Sequence, residues 1–496
     1  MLYWNRWIHL SFCLFCGLIL GFIPASPVAA QEFHYVPDDF ASLSAAIAGA
    51  VAGDVIIVRN GVYSGDANTG LDPQGKALVI QSENGPGSCF IECGTTRQAF
   101  ILQSGETNLT IIRGFTIQHG FAADFGGAIA CLHASPVIDD CHFENNQALY
   151  GGAIAAINAA PRINNCHFFN NRASAFGAGV FLANAEAVIS QCIFGWNFAE
   201  AGGGLYCCWF SQPHLINSLI IWNSASRGGG IAAEYMGFPD LLNCTLAYNS
   251  GGGIQCDWSN CRITNSIVVR NSPVNIETGD STADVSTSCV EGGYVGAGII
   301  DADPRFAVGP QGEYYLGDGG LLTPNPCVDA GDRPAEEVCW TVTGDMVCLD
   351  EYTTSPDSTT DQGLVDIGYH SVDDTTCLRF GTRFDGPERA PQPGDAAGLD
   401  VVICNPGAVT HMNLNLFVIM ENAGEYWFWP AWSGSDWLPV DLVPGITTWE
   451  VFDAVPWGSE PPEWFGNRLY AALTDPAITE IRGEIALYPY RFDMPE

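Results

Sequence analysis

Gly126-Gly127-Ala128-Ile129, then Phe143-Glu144-Asn145-Asn146, then Gly151-Gly152-Ala153-Ile154, then Phe168-Phe169-Asn170-Asn171: two signatures alternate and return in step. The glycine signature continues as Gly177-Ala178-Gly179-Val180, Gly202-Gly203-Gly204-Leu205, Gly228-Gly229-Gly230-Ile231 and Gly251-Gly252-Gly253-Ile254. The asparagine signature, an apolar residue three positions before Asn, continues at Phe194/Asn197, Ile220/Asn223, Leu246/Asn249 and Val268/Asn271. A fixed period of about 25 residues predicts a solenoid, in which each turn buries its apolar face only by stacking on its neighbours.

Aligning the repeats gives columns. Ile112, Ile138, Ile163, Ile189, Leu215, Leu241 and Ile263 form one. Ile117, Phe143, Phe168, Phe194, Ile220, Leu246 and Val268 form another, and both are predicted to line the interior. Between them run Phe115, Cys141, Cys166, Cys192, Ser218, Cys244 and Ser266. Cysteine buries like a small hydrophobe, so free buried thiols are expected, with a disulfide between rows as the geometric alternative. Asparagine supplies two further columns, Asn146 to Asn271 and Asp140, Asn165, Gln191, Asn217, Asn243 and Asn265. An amide at a recurring corner satisfies backbone groups and bonds the same amide one turn on, which is structural work.

The flanks read differently. Residues 1–30 have the pattern of a secretory signal peptide: Arg6, an apolar run over 10–23 and Val28-Ala29-Ala30 as a small-residue cleavage site. Leu43, Ala46, Ile47, Ala50 and Val51 fall at helical spacing before Val55-Ile56-Ile57-Val58, so residues 35–64 are expected to cap the open end of the stack. Further strands are expected at 77–81 and 99–103. Residues 273–350 are expected to form irregular last turns with local bridges available to Cys327, Cys339 and Cys348, and residues 365–369 to close the stack. Near Cys377 the repeat gives way to short apolar runs between turn signals, which predicts a separate β-sandwich over 377–496.

Composition bounds the function. The formal charge is −37 and Lys76 is the only lysine, so nucleic acid and anionic membrane are repelled. No segment after the signal is apolar for the roughly 20 residues a membrane span needs. Of the 19 cysteines, Cys13 and Cys16 lie in the signal, which leaves an odd number for an exported chain. An exported, secreted or surface-exposed protein is expected.

The paired signatures resemble the repeats of the polymorphic outer membrane proteins over residues 126–271. More broadly, residues 33–374 resemble exported bacterial right-handed parallel β-helix proteins of the pectate-lyase-like superfamily. Asp38-Asp39-Phe40 to Gly61-Val62-Tyr63 is similar to their opening segment, and Asn325-Pro326-Cys327-Val328-Asp329-Ala330-Gly331-Asp332 with Asp366-Ile367-Gly368-Tyr369 to their closing one. The resemblance implies an all-β, three-faced coil. It does not imply an enzyme, since fold does not settle function. Polymorphic outer membrane proteins end in a barrel; the roughly 120 residues after the coil are too few for a large one.

Polysaccharide-cleaving β-helices need paired carboxylates, or a base beside a bound cation. Asp139 and Asp140 are adjacent acids, but the Asn-Thr-Asp, Gly-His-Gly and Arg-Ile-Lys motifs that accompany such a pair in the family's glycosidases do not occur. Lys76, a candidate lyase base by type, is remote from the rows and reads as a surface residue. His142 and His167 hold equivalent outward positions on adjacent rows. With Asp139, Asp140 and Glu144 they read either as an acid–base or metal cluster or as a solvated face; no third spacing supports zinc. Trp196, Trp222 and Tyr248 form a column that a bend would turn outward, where aromatic faces suit sugar rings; strict alternation would turn them in. Seven of the 14 tryptophans lie between Trp427 and Trp464, and Trp427, Trp429, Trp432 and Trp437 read as a glycan site or as sandwich core. Calcium is the one cofactor the sequence admits, through Asp301, Asp303, Asp329 and Asp332, which lack the spacing of a known calcium loop. Two readings follow: a structural, adhesive or glycan-binding module facing a polysaccharide or other envelope component, and a polysaccharide lyase or hydrolase acting on an acidic polysaccharide.

Overall fold

The computed structural model describes residues 31–309, 312–317, 324–342, 345–355 and 360–372, and beyond them the backbone of eight strands between 379 and 489. The first part is a parallel β-helix. Its strands stack into three long sheets of eleven, ten and eight strands, every neighbouring pair parallel. One turn takes Val137–Asp139 from the first sheet, His142–Glu144 from the second and Ile154–Ile157 from the third.

The register is that of the sequence columns. Ile138 pairs with Ile112 and Ile163, and Phe143 pairs with Ile117 and Phe168. These side chains are fully buried. The phenylalanine rings stack along the axis, Phe143 on Phe168 at 4.9 Å and Phe168 on Phe194 at 4.5 Å between centroids. Such a stack follows from parallel in-register strands, which place like residues about 4.8 Å apart.

Cys141, Cys166, Cys192 and Cys244 are free and fully buried, as the column reading expects. Each thiol donates to a carbonyl one row back, Cys166 to Ile138 and Cys192 to Ile163, both at 3.6 Å. Burial pushes the Cys244 thiol up to about 12, far from thiolate chemistry. Each thiol also meets the carbonyl two residues before it, as Cys166 meets Asn164 O at 3.1 Å, and serine keeps that contact: Ser266 Oγ donates to Thr264 O at 2.8 Å and accepts from Cys244 N at 3.1 Å.

The first asparagine column is a continuous amide ladder. Asn146 Nδ2 donates to Asn171 Oδ1 at 3.0 Å, Asn171 to Asn197 at 3.0 Å, Asn197 to Asn223 at 2.9 Å, and so on to Asn271. Each Oδ1 also takes the backbone N–H of the preceding rung, and each Nδ2 also caps a carbonyl further back, as in Asn197 to Phe168 O at 2.8 Å. The glycine signature answers to crowding. A Cβ on Gly152 would lie 2.5 Å from Ala178 O, while Gly151 takes φ +69° at the corner.

The N-terminal cap is the helix Leu43–Gly49, with Ser42 as N-cap. Lys76 is not a free surface residue: half-buried, its ammonium donates to Ile47 O at 2.7 Å and Ala50 O at 3.0 Å, closing the helix C-terminus with the charge its dipole favours. The expected strands at 77–81 and 99–103 appear as Val79–Ser82 and Phe100–Leu102.

The closing segment departs most from expectation. It does not end the stack; it returns along the side of the coil. Leu316, Cys327, Ile367 and Tyr369 form a second core with Leu219, Ile221, Ala247, Ile267 and Val269 on the outer face of the second sheet. Trp340, Leu349, Tyr352 and Val365 cover Ile216 and Leu242 on the first. The second asparagine column grips this return. Asn217 exchanges two hydrogen bonds with the His370 backbone, at 2.9 and 2.6 Å, Asn243 donates to Asp366 O at 2.9 Å, and Asn265 pairs with Asp332 at 2.8 Å. These amides face an incoming strap, which is why they do not form an amide-to-amide ladder there. Among the described residues two disulfides hold local loops, Cys256–Cys261 and Cys339–Cys348; Cys327 is free. Between 379 and 489 the strands form two antiparallel sheets, of three and five strands. The expected domain start near Cys377 lies outside the described residues.

Candidate functional site: an exposed column on the third corner

With two outer faces of the coil covered, the corner that follows the third sheet is left open. The residues there, one per turn, are His133, Asn158, Asn184, Trp209, Tyr235 and Trp258, all exposed and all at left-handed φ between 49° and 58°. The corner forces that conformation, and it throws each side chain away from the core. The first three are joined side by side: Asn184 Nδ2 donates to Asn158 Oδ1 at 2.8 Å, and Asn158 Nδ2 lies 3.3 Å from His133 Nε2. The next three are aromatic platforms, 59%, 60% and 64% exposed, widened by Phe210 and Met236 at 61% and 47%. Apolar side chains held this far into water on three consecutive turns form a candidate binding surface.

The platform is firmly built. Trp209 N donates to Tyr235 O at 2.9 Å and Met236 N to Trp258 O at 2.8 Å. The Cys256–Cys261 disulfide spans the turn that carries Trp258. Beneath it, Glu234 and Asp257 are register partners on the outer face of the third sheet. Glu234 is buried, accepting from the Tyr206 hydroxyl at 2.9 Å and standing 3.4 Å from Arg227 Nη2. Burial, and then the Glu234 carboxylate, push the Tyr206 phenol well above its ordinary value. Asp257 is half-buried, directly before Trp258.

The residues singled out in the sequence fall elsewhere. Asp139 ends a first-sheet strand, ion-paired with Arg113 at 2.6 Å and bonded by Asn164 Nδ2 at 2.8 Å. Asp140 is at the following corner, φ 50°, accepting from Asn165 at 3.0 Å. His142 and His167 are on the second sheet, so the corner at Asp140 separates them from Asp139. Their rings stack at 4.5 Å, half-buried rather than solvated. Burial, then the neighbouring imidazole, hold His142 well below its usual value; burial holds His167 down to about 4. The sequence cluster is thus one stacked pair and two carboxylates engaged by other rows.

Trp196, Trp222 and Tyr248 do stand outside the coil, at left-handed corners, stacked at 5.3 and 4.6 Å. They are not an open column. The returning chain meets them: Trp222 Nε1 donates to Tyr314 Oη at 2.7 Å, Tyr248 meets Tyr314 edge-on at 6.3 Å, and Arg270 covers Tyr248. Trp427 and Trp429 belong to the strand Glu425–Trp429; their side chains lie outside the described residues. Asp301, Asp303 and Asp332 accept from Gly292 N, Arg270 and Arg333 respectively. Among the described residues no three His, Cys, Asp or Glu side chains gather as a metal site, and no helix is long and apolar enough to cross a membrane.

Trp209, Tyr235 and Trp258 were missed, although a signal was present: each follows its third-sheet strand at the same repeat position. No family model and no curated protein matches the chain. Among solved structures, the crystal structure of pectate lyase Pel9A is similar at a TM-score of 0.39 and 9% identity, over 69% of this chain and 97% of that one.

Proposed function

We propose that this β-helix protein is exported and binds a polysaccharide, or another glycan-bearing envelope component, along the third corner of its coil without cleaving it. The exposure of Trp209, Tyr235 and Trp258 on consecutive turns carries this reading. Platforms repeating at about the strand spacing match a chain of rings, each with an apolar C–H face, and the amides of Asn158 and Asn184 continue the line with groups suited to hydroxyls. Residues 1–30 support export, and the repeats over 126–271 support kinship with surface proteins of the polymorphic outer membrane type.

The test is retention of the mature protein on a panel of neutral and acidic polysaccharides, with product analysis alongside. Trp258→Ala and Trp209→Ala should each weaken binding about tenfold, about 1.4 kcal/mol, with unchanged melting temperature. New unsaturated or reducing ends would sink the non-catalytic reading. Cell fractionation tests export: a mature chain retained in the cytoplasm contradicts it.

A further inference from the structure

We propose that the column selects glycans lacking carboxylate and sulfate groups, with Asp257 as the specificity-determining residue; this rests on the glycan reading of the column. Asp257 lies one residue before Trp258, and its carbonyl accepts from Tyr235 N at 3.2 Å. Its side chain alternates outward, since Ile254 and Cys256 of the same strand point in and are fully buried. The carboxylate leans over the next turn, where a Cβ on Gly279 would lie 2.6 Å from its Oδ1; glycine leaves the space it occupies. A sugar ring lying on Trp258 therefore meets a carboxylate at its edge. That group accepts hydroxyl or ammonium hydrogen bonds and repels an acid.

The surroundings keep the same sign. Glu186 lies two residues after Asn184, and Glu277 and Asp280 lie on the turn after Trp258, all exposed. The basic groups nearby are engaged: Arg227 pairs with Glu234, and Arg262 with Asp240. On a chain of net charge −37, no cationic rim among the described residues offsets the acids of this corner. The disulfide between Cys256 and Cys261 fixes Asp257 and Trp258 together, so platform and carboxylate are presented in one geometry.

The experiment titrates the full mature chain with length-matched neutral, amino-bearing and uronic-acid oligosaccharides, with a chelator present, at low and high salt. Neutral chains should bind independently of salt. Amino-bearing chains should bind more tightly at low salt and lose that advantage at high salt. Uronic-acid chains should bind at least about tenfold more weakly than neutral ones, and Asp257→Asn should close most of that gap. Uronic-acid chains binding as tightly as neutral ones through Trp258, or Asp257→Asn leaving the ratio unchanged, overturns the selectivity. Failure of all three classes to bind, or binding indifferent to Trp258→Ala, overturns the glycan reading itself.

Discussion

The ring of His142 lies flat on that of His167, 7° from parallel and 4.5 Å between centroids. Strand register imposes this contact, and the half-buried site cannot accept two positive charges side by side. Both imidazoles are therefore neutral in the folded protein.

The consequence is a pH dependence with a definite sign. In the unfolded chain both histidines take up protons near 6.5. The folded chain holds His167 to about 4 and His142 well below its ordinary value, so it binds fewer protons in that window. The stability they contribute is complete above about pH 6.5 and is lost as pH falls toward about 4. Denaturant midpoints at pH 7.5 and 4.5 should fall further apart for the native chain than for the His142→Gln/His167→Gln variant. Equal differences would disprove the account.

The amide ladder should be sharply more sensitive than its chemistry suggests. Asn197→Ala leaves Asn171 N–H and Nδ2 without their acceptor and Phe168 O without its donor, all in the dry interior. Each orphaned group costs about 1–3 kcal/mol. Asn184→Ala, at an exposed corner, loses one amide bond and sets alanine at φ 49°, and should cost about 1 kcal/mol. Urea unfolding of the two variants provides the comparison.

Gly152→Ala adds one methyl where no space exists, 2.5 Å from Ala178 O. Spreading two turns apart should cost about 1–3 kcal/mol and lower the thermal midpoint. A variant of native stability would mean that the turns are not packed at this distance.

The strap held by Asn217 can be probed by limited proteolysis. Asn217→Ala removes both bonds to the His370 backbone. Cleavage near 360–372 should accelerate while the amide-ladder turns stay protected. Equal cleavage rates would show that the apolar contacts of Ile367 and Tyr369 suffice to hold the strap.

How much of this was legible depends on whether a residue repeats. Ile138, Phe143, Cys141 and Asn146 each have a counterpart on the next turn, so alignment alone predicts their stacking. Trp222 and Trp209 show the limit. Both occupy left-handed corners and both point away from the coil. Only one is exposed, and the difference is made by Tyr314, which belongs to a segment with no repeat. The path of that segment also decided that Asn217 and Asn243 would bond a backbone rather than each other. Lys76 was misread for the same reason: its partners are carbonyls that only the folded cap brings near.

The strap at Asn217, Asn243 and Asn265 makes the coil a graduated scale. Its contacts fall on three consecutive turns, matched to the spacing of Asp332, Asp366 and His370. A turn duplicated before Arg162, whose guanidinium reaches Thr341 O at 3.3 Å, would lengthen the scale without disturbing any mark on it. The same insertion between Asn217 and Asn265 would leave one amide facing no partner. Growth by duplication is thus permitted at the N-terminal end and forbidden under the strap, and natural length variants of this coil should differ upstream of Arg162.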